Sequence, residues 1–152
     1  MLKLVTAAAA VLVLLLPTTA LAGMTRTEAA LLRRMNQVRA AHGLGRLRYD
    51  AHLERAARSH SHEMLAADIF RHGAFWSRML RFDVTGTLAG ENLAWGTGYR
   101  GTARGIVLAW LKSPEHRANL LRPMFNRVGV GSLVGSFLGN RGAHVVTADF
   151  AG

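Results

Sequence analysis

The sequence predicts a single α+β domain with a small, mainly antiparallel sheet. Segments 25–41 and 50–67 carry apolar residues at helical spacing. Two β-branched runs, 128–134 and 144–150, flank a glycine-rich turn near the C-terminus. Helices that precede paired strands are typical of the α+β class, and no sequence repeat or linker divides the chain.

The first 22 residues have the pattern of a signal peptide. Lys3 places a positive charge before the apolar run Leu4–Leu16, and Ala20-Leu21-Ala22 matches the small-x-small pattern that signal peptidase cleaves after. The run is shorter than the roughly 20 residues of a transmembrane helix. We therefore expect cleavage after Ala22, a mature domain of residues 23–152 with no transmembrane segment, and a secreted or periplasmic location. An uncleaved N-terminal anchor is the alternative.

The chain is a basic protein. Its formal net charge is +10, and loss of Lys3 with the signal peptide leaves +9. The arginines are scattered from Arg26 to Arg141, as on a solvated surface. The same charge would attract the protein to anionic lipid or to an anionic cell-envelope polymer. No nucleic-acid recognition motif is present, so nucleic acid is not an expected partner.

Missing residues exclude one catalytic class and argue against several others. The chain has no cysteine, which rules out disulfides and a thiol nucleophile. His62-Glu63 begins like the H-E-x-x-H motif of zinc proteases, but Ala66 stands where the second histidine is needed. Neither a G-x-S-x-G elbow nor a phosphate-binding loop occurs.

The first helix has a clear apolar face and a clear start. Leu31, Met35 and Val38 share one side, and Thr25 followed by Glu28 predicts a capping box. The second helix is expected to start after Asp50, with a buried stripe that includes Leu53, Ala57, His60 and Met64. We interpret His60 on this stripe as a packed, hydrogen-bonded histidine.

The segment from 68 to 101 is predicted to be mostly irregular. Met79–Phe82 is compatible with a helical turn and Asn92–Trp95 with a short strand. Irregular segments inside compact domains often carry function. A third helix should start near Thr102 and end at Ser113-Pro114, where a short turn of helix follows.

Three stretches of the chain carry distinctive motifs. They are Leu32-x3-Asn36-x2-Arg39-x3-Gly43-Leu44-x2-Leu47, Gly90-Glu91-Asn92-Leu93-Ala94-Trp95-Gly96 and Trp110-x2-Ser113-Pro114-x-His116-Arg117-x-Asn119-Leu120-Leu121. Together they resemble the bacterial form of the CAP superfamily of cysteine-rich secretory, antigen 5 and pathogenesis-related 1 proteins. The match covers nearly all of the mature chain in the family's order.

This resemblance implies a three-layer α/β/α sandwich and a cavity lined by two histidines and two acids. Carried over residue by residue, the histidines are His72 and His116, and the first acid is Glu91. The second acid should stand near Ser113, which is not acidic. The family's tetrad is therefore expected to be a triad here.

Two imidazoles and one carboxylate suit Zn²⁺ or another divalent metal. Glu91 would then be a third ligand, or the base that acts on a metal-bound water. A metal-independent, hydrogen-bonded polar cluster is the alternative. The sequence accordingly favours a binding module over a metal-assisted hydrolase or a purely structural protein with a vestigial cavity.

A dense apolar cluster surrounds His72 in the sequence. Its members belong either to the core or to an exposed groove for a lipid, a peptide or another cell-envelope ligand. They are Phe70, Phe75, Trp76, Met79 and Phe82.

The expected signal cleavage gives a direct test. Protein recovered from the native envelope or medium should begin at Gly23, because Ala22 closes the cleavage site. Intact-mass measurement checks this expectation. A mass that still includes Met1–Ala22 would instead support the uncleaved anchor.

Overall fold

The computed structural model describes residues 23–152, so the predicted signal peptide lies outside the described residues. In this part of the chain no helix is long and apolar enough to cross a membrane. The elements are α1 (Arg26–Ala41), β1 (Arg48–Tyr49), α2 (Ala51–Ala67), α3 (Phe75–Arg81), β2 (Ala89–Gly96), a 3-10 turn (Gly98–Gly101), α4 (Ala103–Lys112), α5 (Pro114–Leu120), β3 (Arg127–Phe137) and β4 (Asn140–Ala151).

A four-stranded sheet lies between two layers of helices. The strand order is β1-β3-β4-β2, with β1 parallel to β3 and the other pairs antiparallel. The larger core packs one face of the sheet against α1, α4 and α5, and two smaller clusters pack the other face against α2 and α3. The predicted α/β/α sandwich with a mainly antiparallel sheet is confirmed.

The helix starts follow the sequence signals. Thr25 and Glu28 form the predicted capping box, in which the Thr25 N–H donates to Glu28 Oε2 over 2.7 Å and the Glu28 N–H donates to Thr25 Oγ1 over 3.3 Å. Asp50 accepts from the N–H groups of His52 and Leu53. These bonds satisfy amides that the first turn of a helix leaves unpaired.

The middle and the end of the chain are more regular than the sequence predicts. Instead of a turn at Met79–Phe82, α3 forms a full two-turn helix, because Phe75 and Met79 both pack onto the core beneath it. Strand β2 has eight residues, twice the predicted length, since it pairs with β4 from end to end. The final hairpin turns at Leu138-Gly139, slightly before the predicted position.

Two glycines let α2 lie directly on β3. A Cβ atom on Gly129 would stand 2.0 Å from the Glu54 backbone nitrogen, and one on Gly131 would stand 2.4 Å from the Arg58 nitrogen. The close approach also lets the Ser61 hydroxyl donate to the Gly131 carbonyl over 3.0 Å. Helix α2 therefore sits at a fixed height above the sheet.

The buried Arg39 guanidinium ties α1 to the chain that leads into β3. It donates to four backbone carbonyls, over 2.8–3.1 Å. Two of these bonds, to the carbonyls of Leu120 and Phe125, are buried, where a backbone carbonyl needs a partner. The acceptors are Gly45, Leu120, Arg122 and Phe125.

The close contact at Gly129 predicts that one added methyl group there strongly destabilises the fold. Gly129→Ala should lose about 3 kcal/mol of unfolding free energy, because the added carbon overlaps helix backbone that cannot move aside. Gly45→Ala is the control, since no heavy atom lies within 4 Å of its Cβ position. It should change stability by less than about 0.5 kcal/mol. Urea denaturation measures both, and equal effects would contradict this account of the α2–β3 contact.

Candidate functional site

Glu91 is the centre of the candidate site. It lies on β2, only 7% exposed, on the face covered by α2 and α3. His72 Nδ1 lies 2.7 Å from Glu91 Oε1, and the Arg78 guanidinium donates to Glu91 Oε2. Each carboxylate oxygen of Glu91 thus has a hydrogen-bond partner, His72 for Oε1 and Arg78 for Oε2.

Arg78 is a site residue that the sequence analysis missed. It projects from α3 and is almost fully buried, with its guanidinium carbon 5.7 Å from the centre of the Phe75 ring. It also donates weakly to the His72 carbonyl, over 3.4 Å. A buried arginine beside a buried carboxylate offsets the cost of removing each charge from water. Nothing in the spacing of the surrounding helix marks Arg78 as different from the exposed arginines near it.

His60 is buried and hydrogen-bonded, as its place on the α2 stripe predicted. Its Nε2 lies 2.8 Å from the Arg71 carbonyl, so this nitrogen carries the donated proton. The same Nε2 stands 3.9 Å from Glu91 Oε2. His60 therefore supports the wall of the site and holds the loop in front of His72.

Two asparagines attach α5 to β2 and so position His116. The Asn92 amide donates to the His116 carbonyl over 2.9 Å. The Asn119 amide donates to the Glu91 carbonyl and to Asn92 Oδ1, each over 3.1 Å. These bonds link the Gly-Glu-Asn stretch to the Ser-Pro-x-His-Arg-x-Asn stretch, which explains why both carry asparagine.

The two predicted histidines lie in one electrostatic environment. The His72 side chain is 60% exposed, whereas His116 is half-buried. Burial lowers the pKa of His116, and the charge of the nearby His72 lowers this pKa further, against a smaller opposite effect from Glu115. Since its pKa is lowered, His116 keeps a neutral imidazole at pH 7.

Asp149 is a second buried acid that the sequence analysis did not name. It faces Glu91 across the β2–β4 pair and is fully buried. Within residues 23–152 no donor group reaches either of its oxygens. Burial raises the pKa of Asp149 well above its usual value, and the Glu91 charge raises this pKa further. The folded protein therefore favours the protonated form of Asp149.

A signal for Asp149 was present in the sequence. Val146, Ala148 and Phe150 occupy one face of the predicted last strand, so alternation puts Thr147 and Asp149 on the other. In the structure, this second face of β4 is the one on which Asp149 lies beside Glu91 of β2. The position where the family's second acid was expected, Ser113, forms the boundary between α4 and α5.

The contacts of the site side chains limit which of them can bind a metal. Among residues 23–152, no group of three or more His, Cys, Asp or Glu side chains is arranged to hold a metal ion. Glu91 already uses both oxygens, one toward His72 and one toward Arg78. This leaves the two predicted imidazoles as candidate ligands, with Glu91 hydrogen-bonded to His72.

A family model described as the cysteine-rich secretory protein family, CAP, matches residues 32–150. The chain belongs to this family. The match confirms the resemblance carried by the three sequence stretches, and it covers every residue of the site. The Glu91–His72 contact and the Asn92–Asn119 bridge both lie within the matched residues.

Two proteins of Bacillus subtilis are similar in sequence to this CAP domain. The uncharacterized protein YkwD is 33% identical over 119 residues, which cover 75% of this chain and 45% of that protein. The uncharacterized membrane protein YlbC is 33% identical over 112 residues, which cover 70% of this chain and 32% of that protein. This chain thus spans less than half the length of either relative.

Solved structures with a similar fold come from several bacteria. An extracellular protein with an SCP domain from Bacillus anthracis has a TM-score of 0.69 at 28% identity, over 82% of this chain and 40% of that one. An outer surface protein of Borrelia burgdorferi has a TM-score of 0.67 at 23% identity, over 84% of this chain and 97% of that one. The second likeness shows the fold alone.

The apolar cluster around His72 divides into a buried part and an exposed part. Met79 is buried, and Phe75 and Phe82 pack partly buried against the same core cluster. Phe70 and Trp76 are exposed. The core interpretation is correct for three members and the exposed interpretation for two.

The buried acid pair predicts an unusual pH dependence of stability. The raised pKa of Asp149 means that the folded protein retains a proton that the unfolded chain releases above about pH 4. Wild-type stability should therefore fall as the pH rises above about 4, by up to about 1.4 kcal/mol per pH unit from this group. Asp149→Asn removes that penalty, so its stability relative to wild type should increase between pH 4 and 7.

Thermal or urea unfolding at several pH values measures the difference. Asp83→Asn is the matched control, because Asp83 is exposed and asparagine also tolerates its left-handed backbone, with φ of 55°. A stability difference for Asp149→Asn that stays constant with pH would show that Asp149 is ionised in the folded protein.

Proposed function

We propose that this CAP domain is an exported binding module, secreted or periplasmic after cleavage at Ala22. In this proposal His72 and His116 hold a divalent cation such as Zn²⁺. The B. anthracis structural relative is described as extracellular, which is consistent with export. In the same proposal the domain also binds a lipid, a peptide or another cell-envelope ligand.

The contact between Glu91 and His72 carries the proposal. A carboxylate that accepts from Nδ1 fixes the tautomer of the imidazole and leaves Nε2 as the electron-pair donor. Metal-binding histidines commonly have such a carboxylate behind them. With its side chain 60% exposed, His72 can meet a cation from solvent.

The protonation state of His116 supports the same proposal. A metal ligand must be neutral, and burial together with the neighbouring histidine lowers the pKa of His116. The bonds through Asn92 and Asn119 hold α5 against the strand that carries Glu91. A bound cation would supply positive charge and open positions for water or a ligand group.

Glu91 fits a positioning role better than a catalytic one. A general base needs a carboxylate oxygen within reach of the water that it deprotonates. Here Oε1 faces His72 and Oε2 accepts from the Arg78 guanidinium, so neither oxygen is free to take a proton from water. For this reason binding is proposed ahead of hydrolysis.

Calorimetric titration with Zn²⁺ tests the proposal. We expect one site per chain, with no measurable binding in His72→Ala or His116→Ala. Glu91→Gln should weaken affinity only about tenfold, because its amide oxygen can still accept from His72 while its charge is lost. Affinity should fall in acid, because a protonated imidazole cannot bind a cation, and the lowered pKa of His116 places its protonation below the usual imidazole value of about 6.5.

His62→Ala is the matched control, because His62 lies exposed on α2 and has no part in the site. It should bind Zn²⁺ like wild type. Equal loss in this variant would indicate unspecific surface binding. A Glu91→Gln variant that binds no zinc would make Glu91 a direct ligand.

A further inference from the structure

The segment around His72 exposes an unusual amount of apolar surface. Nine large apolar side chains are exposed among residues 23–152, and four of them lie between positions 69 and 80. Trp76 is 61% exposed and Leu80 is 77% exposed. One turn apart on α3, these two side chains share one side of the helix. The other two, Ile69 and Phe70, precede His72.

The charge of the same segment is entirely positive. Residues 69–81 contain three arginines and no acid. Arg78 is committed to Glu91, whereas Arg71 and Arg81 are exposed. The segment therefore presents tryptophan and aliphatic side chains beside two solvent-facing guanidinium groups.

This combination matches the chemistry of an anionic bilayer surface. Tryptophan favours the boundary between headgroups and acyl chains, where its ring is buried and its N–H stays hydrated. Arginines beside such a side chain meet lipid phosphates, and apolar insertion plus charge attraction together determine the strength of surface binding. A soluble anionic polymer offers the charge but nothing for Trp76 and Leu80 to enter.

We propose that residues 69–81 form a membrane-surface contact, in which Trp76 and Leu80 insert into an anionic lipid leaflet and Arg71 and Arg81 bind its headgroups. The inference deepens the proposed binding role by naming its partner, and it rests on that role but not on the metal. Because His72 lies within the segment, docking would bring the Glu91–His72 site to the lipid surface.

Tryptophan fluorescence gives a direct first measurement. Of the three tryptophans, Trp110 is buried and Trp95 half-buried, so Trp76 is the one that can change environment strongly. The mature protein is measured in EDTA. Its tryptophan emission should shift to the blue with vesicles of phosphatidylcholine that contain about 30% phosphatidylglycerol, because the anionic lipid supplies the negative charge. Pure phosphatidylcholine vesicles should give little shift. About 0.5 M NaCl should reduce the shift seen with anionic vesicles, because salt at this concentration screens the charge attraction.

Vesicle sedimentation with variants locates the contact. Leu80→Ala should weaken binding about tenfold, the loss expected for one inserted aliphatic side chain. Met124→Ala removes a side chain of similar exposure, 62%, elsewhere on the surface, and should bind like wild type. Arg71→Gln combined with Arg81→Gln should also weaken binding about tenfold. The matched pair Arg26→Gln with Arg104→Gln removes the same charge from exposed sites outside the segment and should have less than a twofold effect.

The outcomes separate this inference from the metal proposal. Binding in EDTA that His72→Ala leaves intact supports the lipid contact even if no zinc site exists. Equal weakening by the two arginine pairs would overturn it in favour of unspecific charge attraction. Equal affinity for soluble polyglutamate would overturn it too, as would the absence of any blue shift with anionic vesicles.

Discussion

The arrangement of this CAP domain depends on how closely α2 can approach the sheet. Gly129 and Gly131 leave no side chain between β3 and the helix backbone, so the helix rests on the strand itself. This height brings His60 to 3.9 Å from Glu91 on the neighbouring part of the sheet. Any larger residue at the two glycines would lift α2, and with it the histidine that supports the loop before His72.

The site joins the two faces of the sheet through one strand. Glu91 points toward α2 and α3, while its neighbour Asn92 bonds to α5 on the edge of the sheet. The two histidines thus come from segments packed around β2 from different sides. Placement of β2 between β4 and α5 therefore positions Glu91, which contacts His72, and the backbone of His116 at once, without a disulfide.

The sequence predicted most of the fold and only part of the site. Helix caps such as Thr25 and Asp50 are local signals, and they were predicted correctly because their hydrogen bonds reach only two or three residues. The meeting of His72 with Glu91 came from the family resemblance, since it depends on tertiary packing. Arg78 was missed because no spacing in its helix marks it, and only tertiary packing places it against Glu91. Asp149 was missed although strand alternation places it on the face opposite to Phe150, because the pairing of β2 with β4 is what puts that face beside Glu91.

Strand β2 stands at one end of the strand order and so has only β4 beside it. Two of its carbonyls are nevertheless occupied by side chains, because the Trp110 indole donates to the Leu93 carbonyl over 2.9 Å and Asn119 donates to the Glu91 carbonyl. Side chains from α4 and α5 thereby substitute for a further strand. An exposed edge would offer a template for pairing with a second chain. The helices that build the site thus also guard the domain against edge-to-edge aggregation.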